Sequence, residues 1–230
     1  MKNLTLAIKE QGFADRLLNE HQIARIVGGS PQRRYGLVNR ALKAGELIRV
    51  QRGLYMLAGQ YRDAPYHPYH IAQGLFPSSY ISLETALAYH GWIPEAVYET
   101  ASILPGRKSK ELKNEQFGKF TFHPLATNRG YFLELVERVQ INKQTMLIAK
   151  PIRALMDLVC YKKVEWQGID WIEKGLRIDL EYLRSVPAAD IRTLKLVYKQ
   201  KRVKVFLAEL EKALNLEQGE YIQPPLRAVK

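Results

Sequence analysis

Apolar positions come in short bursts along the first part of the chain, and the punctuation between them sets the elements. Leu6 and Ile8, among small and polar residues between Thr5 and Gly12, predict a short helix. Leu17, Leu18, Ile23, Ile26 and Val27 predict a second, stopped by Gly28-Gly29. Ser30-Pro31 starts a third, because serine caps helix N-termini well and proline fits the first helical turn. That helix runs to about Ala44, where Gly45 supplies a left-handed cap. Two runs of strand formers, Leu47-Ile48-Arg49-Val50 and Leu54-Tyr55-Met56-Leu57, flank Gln51-Arg52-Gly53 and predict a hairpin. Helix, helix, tight turn, helix and hairpin are the parts of a winged helix-turn-helix, expected over residues 1–60.

The pattern changes after the hairpin. Residues 58–69 are loop-like, with Gly59, Pro65 and Pro68 among polar groups and tyrosines, and 61–76 are expected to form a linker. A mixed α/β domain is expected over 77–216. It opens with a helix from Ser82, its N-cap, to His90, closed by Gly91. Strands are expected at Tyr98 to Leu104, Lys119 to His123, Tyr131 to Val139 and Gln144 to Ala149, with a polar, basic loop over 105–116. Pro151 opens a helix carrying Ile152, Leu155, Leu158 and Val159. From Trp171 to about Leu214 the spacing is helical throughout, and 217–230 form a frayed tail. The fold class is therefore α+β, an N-terminal winged helix-turn-helix before an α/β domain with a helical C-terminal part.

Charge sharpens this picture. The 230 residues carry a formal net charge of +12. Ten Lys/Arg against four Asp/Glu lie in residues 1–60, so half of the excess sits in about a quarter of the chain. An anionic partner follows, nucleic acid or a membrane surface. No run of ~18 apolar residues exists to cross a membrane, and the first apolar run stops at Lys9, too short for a secretory signal. One cysteine, Cys160, cannot form an internal disulfide and is expected to pack as a small hydrophobe. The expected compartment is the cytoplasm, and the expected partner double-stranded DNA.

The third helix has two faces. Val38, Ala41 and Leu42 are placed to bury, while Gln32, Arg33, Gly36, Arg40 and Lys43 fall opposite at spacings of three and four. Arginine binds guanine in bidentate fashion and glutamine suits adenine, so Arg33, Arg34 and Gln32 are candidate base or phosphate contacts. Ser30 and the first-turn amides suit phosphate. Gly36 costs ~1 kcal/mol of helix propensity relative to alanine and would admit a closely approaching duplex. In the hairpin, Arg49, Gln51 and Arg52 are candidate backbone or minor-groove contacts. Two further basic groups, Arg107, Lys108 and Lys110 in a loop and Arg192, Lys195, Lys199 and Arg202 as one stripe of a continuous helix, form a possible second surface for nucleic acid or a partner.

Other chemistry is sparse. There is no glycine-rich phosphate loop or dinucleotide fingerprint, and no cofactor, metal site or catalytic residue is expected. His67 and His70 lack the further ligands a metal would need. The Asp/Glu-x-Lys pattern of metal nucleases occurs as Glu111-Leu112-Lys113, expected within the loop.

Three stretches resemble one family. Gly45 to Leu57 (GELIRVQRGLYML) looks like the wing of AbiEi-type antitoxins of type IV toxin–antitoxin systems. Tyr80 to Glu95 (YISLETALAYHGWIPE) and Ala149 to Leu158 (AKPIRALMDL) resemble parts of that family's second domain. In the last stretch the family usually reads Pro-Glu-Lys-Ala-Leu, and this chain has Ile152 and Arg153 instead. The resemblance implies a repressor that binds inverted repeats in its own promoter. It also implies an antitoxin domain that counteracts a nucleotidyltransferase-type toxin without a stable complex. Two alternatives stand beside it: a stand-alone winged-helix transcriptional regulator, and a DNA-processing enzyme with a winged helix as targeting arm.

Overall fold

A computed structural model describes residues 3–142 and 144–214; the tail expected at 217–230 lies outside them. The fold is α+β. The chain divides into two compact units. One takes the chain up to Pro77 together with Asn114–Phe117 and Val139–Met146; the other takes Ser78–Lys113, Gly118–Arg138 and the chain from Leu147 on.

The first unit begins with α1 (Leu4–Glu10), whose N-cap Asn3 accepts the Thr5 amide at 3.1 Å. The second helix starts later than its apolar spacing predicts. Leu18–Asn19 form a short strand, β1, and α2 spans Glu20–Val27. The cause is a reciprocal capping box: Asn19 Oδ1 accepts the Gln22 amide at 2.9 Å, and Gln22 Oε1 accepts that of Asn19 at 2.8 Å. Held extended before this cap, Leu18 pairs antiparallel with Tyr55. Next come α3 (Pro31–Lys43), β2 (Leu47–Gln51) and β3 (Leu54–Leu57), and the sheet order is β1-β3-β2. The Leu42 carbonyl accepts the Gly45 amide and the Ala41 carbonyl that of Glu46, ending α3 at a left-handed Gly45 (φ 66°). Leu4, Ile8, Leu18, Ile23, Leu37 and Leu57 anchor a shared core, each such burial contributing ~1.5–3 kcal/mol.

Where the sequence suggested a linker, Pro68–Leu75 form a helix, α4. His67 Nδ1 accepts the Tyr69 amide at 3.2 Å as its cap, and Ile71, Ala72 and Leu75 are buried. A Cβ on Gly74 would lie 2.1 Å from Leu17 Cδ1, so glycine is needed for this close packing. Arg62 and Asp15 tie the preceding loop down: Asp15 Oδ1 accepts the amides of Asp63 and Ala64 at 3.1 and 3.0 Å.

A six-stranded sheet has most of its residues in the second unit. Its strands are β4 (Tyr80–Ile81), β5 (Glu99–Leu104), β6 (Lys110–Asn114), β7 (Gly118–Pro124), β8 (Val136–Ile141) and β9 (Gln144–Ala149), in the order β6-β7-β5-β4-β9-β8. Strand β6 lies where a loop was expected. As an edge strand it keeps its charges in water, which edges tolerate and benefit from, so it lacks the apolar alternation that marks a strand in sequence. Strand β8 starts at Val136 rather than Tyr131, because 131–135 turn, with Leu135 left-handed at φ 55°.

Helices α5 (Leu83–Tyr89), α6 (Pro151–Lys162), α7 (Leu180–Arg184), α8 (Ala188–Val197) and α9 (Lys201–Ala213) complete the unit. Helix α6 packs against α5, α8 and α9, and every residue from Ile152 to Cys160 is buried. A helix apolar all round belongs in an interior; the two charges in this run, Arg153 and Asp157, neutralise each other. The continuous C-terminal helix expected from spacing is broken, since α8 ends at Val197 and Tyr198 is extended.

Candidate nucleic-acid interface

Two left-handed glycines, Gly28 (φ 58°) and Gly29 (φ 76°), turn the chain between α2 and α3, a pair of conformations that other residues rarely adopt. Ser30 then caps α3, its Oγ accepting the Arg33 amide at 3.3 Å. Pro31 has no N–H, so Gln32 holds the remaining first-turn amide. Leu37, Val38 and Ala41 are the buried positions of α3; Leu42, expected among them, is only half-buried and Leu37 takes its place. Gln32, Arg33, Arg40 and Lys43 are exposed and Gly36 is half-buried.

The electrostatics of α3 are one-sided. Its sequence, PQRRYGLVNRALK, carries no acid. Arg33 and Arg34 in the first turn oppose the helix dipole, an arrangement that costs ~0.3–1 kcal/mol when no anion is bound. Helix stability does not explain that choice. An approaching phosphate would gain from both the guanidinium groups and the dipole. Two acids elsewhere in the unit are engaged in the fold: Glu46 Oε2 accepts the Thr5 hydroxyl at 2.6 Å, and Asp15 holds the Arg62 loop.

Arg34 does not point freely outward. Its guanidinium donates to the Gly29 carbonyl and so braces the turn. In the hairpin, β2 and β3 pair antiparallel with a bulge between Arg49 and Gln51. Arg49 is exposed, its guanidinium carbon 5.9 Å from the centre of the Tyr55 ring, and Arg52 is exposed at the turn beside Gly53. Gln51 is half-buried. A groove of about 370 Å³ between α2 and α3 is lined by Glu20, His21, Arg34, Tyr35 and Tyr55, among others.

The second surface splits. Arg107, Lys108 and Lys110 are exposed, Lys110 as the first residue of β6. Arg192 is exposed on α8, Lys195 is paired with Glu211, Lys199 lies in the connection between α8 and α9, and Arg202 is half-buried in α9. The proposed single stripe is thus corrected: the break at Tyr198 and the Glu211 pair separate its members. Glu111 and Lys113 lie on a strand rather than in a loop, with Glu111 3.7 Å from Lys119 and 3.9 Å from Lys113. Among the described residues no group of three or more His, Cys, Asp or Glu could hold a metal ion. Cys160 is buried, and burial together with Asp157 pushes its thiol up to about 12.

Sequence reasoning passed over Tyr35 and Arg129. Tyr35 is 71% exposed on α3. Its signal was present, an aromatic residue inside a basic run and off the apolar stripe. Arg129 is exposed in the turn before β8 and shares a cavity with Arg107 and Lys199, which the sequence had put in separate groups.

Comparison with protein-family models finds none that matches this chain, and no curated protein matches it. No described helix is long and apolar enough to cross a membrane.

Proposed function

We propose that the chain is a DNA-binding transcriptional regulator whose first unit works as a winged helix-turn-helix. Helix α3 enters the major groove and the β2–β3 hairpin serves as the wing. The observation that carries this reading is the acid-free face of α3, where Arg33, Arg40 and Lys43 are exposed on a helix already anchored by Leu37, Val38 and Ala41. Arg33 and Gln32 reach base edges, while Lys43, Arg49 and Arg52 take phosphates or the minor groove. The likeness of Gly45 to Leu57, Tyr80 to Glu95 and Ala149 to Leu158 to AbiEi-type antitoxins extends the proposal. On that reading the chain represses its own operon through inverted repeats, and its second unit counteracts a nucleotidyltransferase-type toxin in the cytoplasm.

The test is a footprint of the full chain on the DNA upstream of its own gene, with affinity followed against salt. Five exposed cations, Arg33, Arg40, Lys43, Arg49 and Arg52, set a limiting slope of about −4.5 in log affinity against log salt for one copy on B-DNA. The Arg33→Ala/Arg40→Ala double variant is expected to lose roughly 30-fold or more in affinity at unchanged thermal midpoint. Undiminished binding by that variant would remove α3 from the groove. Co-expression with the adjacent toxin gene tests the antitoxin half separately, through rescue of growth.

A further inference from the structure

A cavity of about 380 Å³ opens in the second unit among three connections, β5 to β6, β7 to β8 and α8 to α9. Arg107, Arg129 and Lys199 line it, one from each connection, and among the described residues its lining contains no carboxylate. Among the described residues none of these three side chains has an ion-pair partner. Other cations of the same unit are paired, Lys119 with Glu99, Lys162 with Glu84, Arg177 with Glu95 and Lys195 with Glu211; what sets these three apart from other exposed cations such as Lys108 and Arg192 is that one cavity gathers them. Gathering three cations without a counter-charge raises the free energy of the empty site, and a bound anion reverses that cost.

The backbone around the cavity is fixed. Asn128 donates its side-chain amide to the Leu196 carbonyl and its backbone N–H to that of Val197, both at 2.7 Å. Lys199 N–H donates to the Ala126 carbonyl at 3.1 Å, and Thr127 bridges to Tyr198. The Tyr198 hydroxyl donates to the buried Asp157 carboxylate at 2.7 Å. Arg129 and Lys199 are thereby carried on two connections held to each other, and such preorganisation lowers the cost of binding. Leu125 and Phe132 give the cavity an apolar side.

We propose that this cavity binds the phosphate groups of a small phosphorylated ligand of nucleotide size. Arginine forks match phosphate oxygens in bidentate fashion, and lysine adds a point charge. The volume lies in the range of small-molecule sites, ~300–1,000 Å³, and the apolar side suits the remainder of such a ligand. The inference concerns the second unit alone and does not depend on the proposed role of α3.

Calorimetric titration of the full chain with pyrophosphate, ATP and adenosine tests it. Pyrophosphate and ATP are expected to bind and adenosine to give no heat at the same concentration. Arg129→Ala and Lys199→Gln should each weaken ATP by about tenfold. Lys108→Ala, which removes a neighbouring charge from outside the lining, should leave it unchanged. All of these side chains are exposed, and circular dichroism confirms that each variant is folded; a variant that unfolds is replaced by Arg107→Gln, for which the same tenfold loss is expected. Absence of heat with both anions at millimolar concentration overturns the proposal, as does an equal loss in Lys108→Ala. Weakened binding of random duplex DNA in the Arg129→Ala variant, with no binding of ATP to the parent, overturns it too and gives the site to nucleic-acid phosphates.

Discussion

Arg153 and Asp157 meet one turn apart on α6, Nε to Oδ1 at 2.9 Å, with neither side chain reaching solvent. The carboxylate is fully used. Tyr198 donates to Oδ1 at 2.7 Å, while Tyr80 and Ser82 donate to Oδ2 at 2.9 and 2.7 Å. Arg153 also donates to the Glu134 carbonyl at 2.8 Å. Burial pulls the guanidinium down, but Asp157, Tyr198 and Tyr80 more than offset it, so Arg153 stays charged. Asp157→Asn leaves that charge enclosed and uncompensated, and is expected to cost about 3–5 kcal/mol. Tyr198→Phe removes one of four donors and should cost less, about 1.5–3 kcal/mol. Urea denaturation of the two variants gives the ranking; equal losses would mean that charge compensation is not what matters in this network.

Arg34 and Arg40 are both candidate contacts in the sequence, Arg40 on the outward face of α3 and Arg34 off it, and the structure separates them further. Arg34 braces the Gly28-Gly29 turn through the Gly29 carbonyl, whereas Arg40 stands exposed on the outer face of α3. Arg40→Ala should leave stability within about 0.5 kcal/mol and weaken promoter binding by about 1–3 kcal/mol. Arg34→Ala should do the reverse, costing about 0.5–1.5 kcal/mol of stability with the smaller effect on DNA. Fluorescence anisotropy and thermal melts on the same preparations separate the two, and the opposite assignment would place Arg34, not Arg40, toward the partner.

Local chemistry made the hairpin, Ser30 cap, Gly45 stop, β9 and α6 readable, since each depends on turn residues, capping or a long apolar run. What failed depended on tertiary partners or on local caps hidden by a competing pattern. Leu17 and Leu18 fit a helical stripe, and only the Asn19–Gln22 cap and the Tyr55 pairing make Leu18 extended. Helix α4 hid behind Pro65 and Pro68, although Pro68 begins it. Ser82 sits at the N-cap of α5 as expected, yet its hydroxyl serves Asp157 and makes no cap bond. At the candidate site the exposed face of α3 was readable from spacing. The meeting of Arg107, Arg129 and Lys199 was not, because three distant connections bring them together.

Gly36 separates stability from function in one substitution. A methyl group there would meet only Arg40, at 3.5 Å, which is ordinary contact. Packing within the unit therefore does not require glycine. Gly36→Ala is expected to stabilise α3 by up to about 1 kcal/mol through helix propensity while weakening promoter binding, because on the proposed docking the added methyl would stand between helix and duplex. A rise in thermal midpoint with no loss of affinity would show that the duplex does not come close at this position.

His70 makes the first unit sensitive to acid. Burial foremost, then the Arg62 charge, lowers its imidazole to about 4, with Asp15 opposing and His67 adding to the shift. In the unfolded chain the same group takes its proton near pH ~6.5. Above that pH neither state is protonated, and His70 contributes no pH dependence. As pH falls from about 6.5 toward 4, the unfolded chain binds a proton that the folded chain refuses, so stability is lost through that window and levels off below it. The full shift corresponds to about 3 kcal/mol, reduced to about 2 kcal/mol for partial exposure. Urea midpoints across this range should therefore fall with acid in the parent and fall less in His70→Gln. A slope in the same direction remains from His67, which burial also lowers. Parallel slopes in parent and variant would show that His70 takes up its proton as readily in the folded unit as in the open chain.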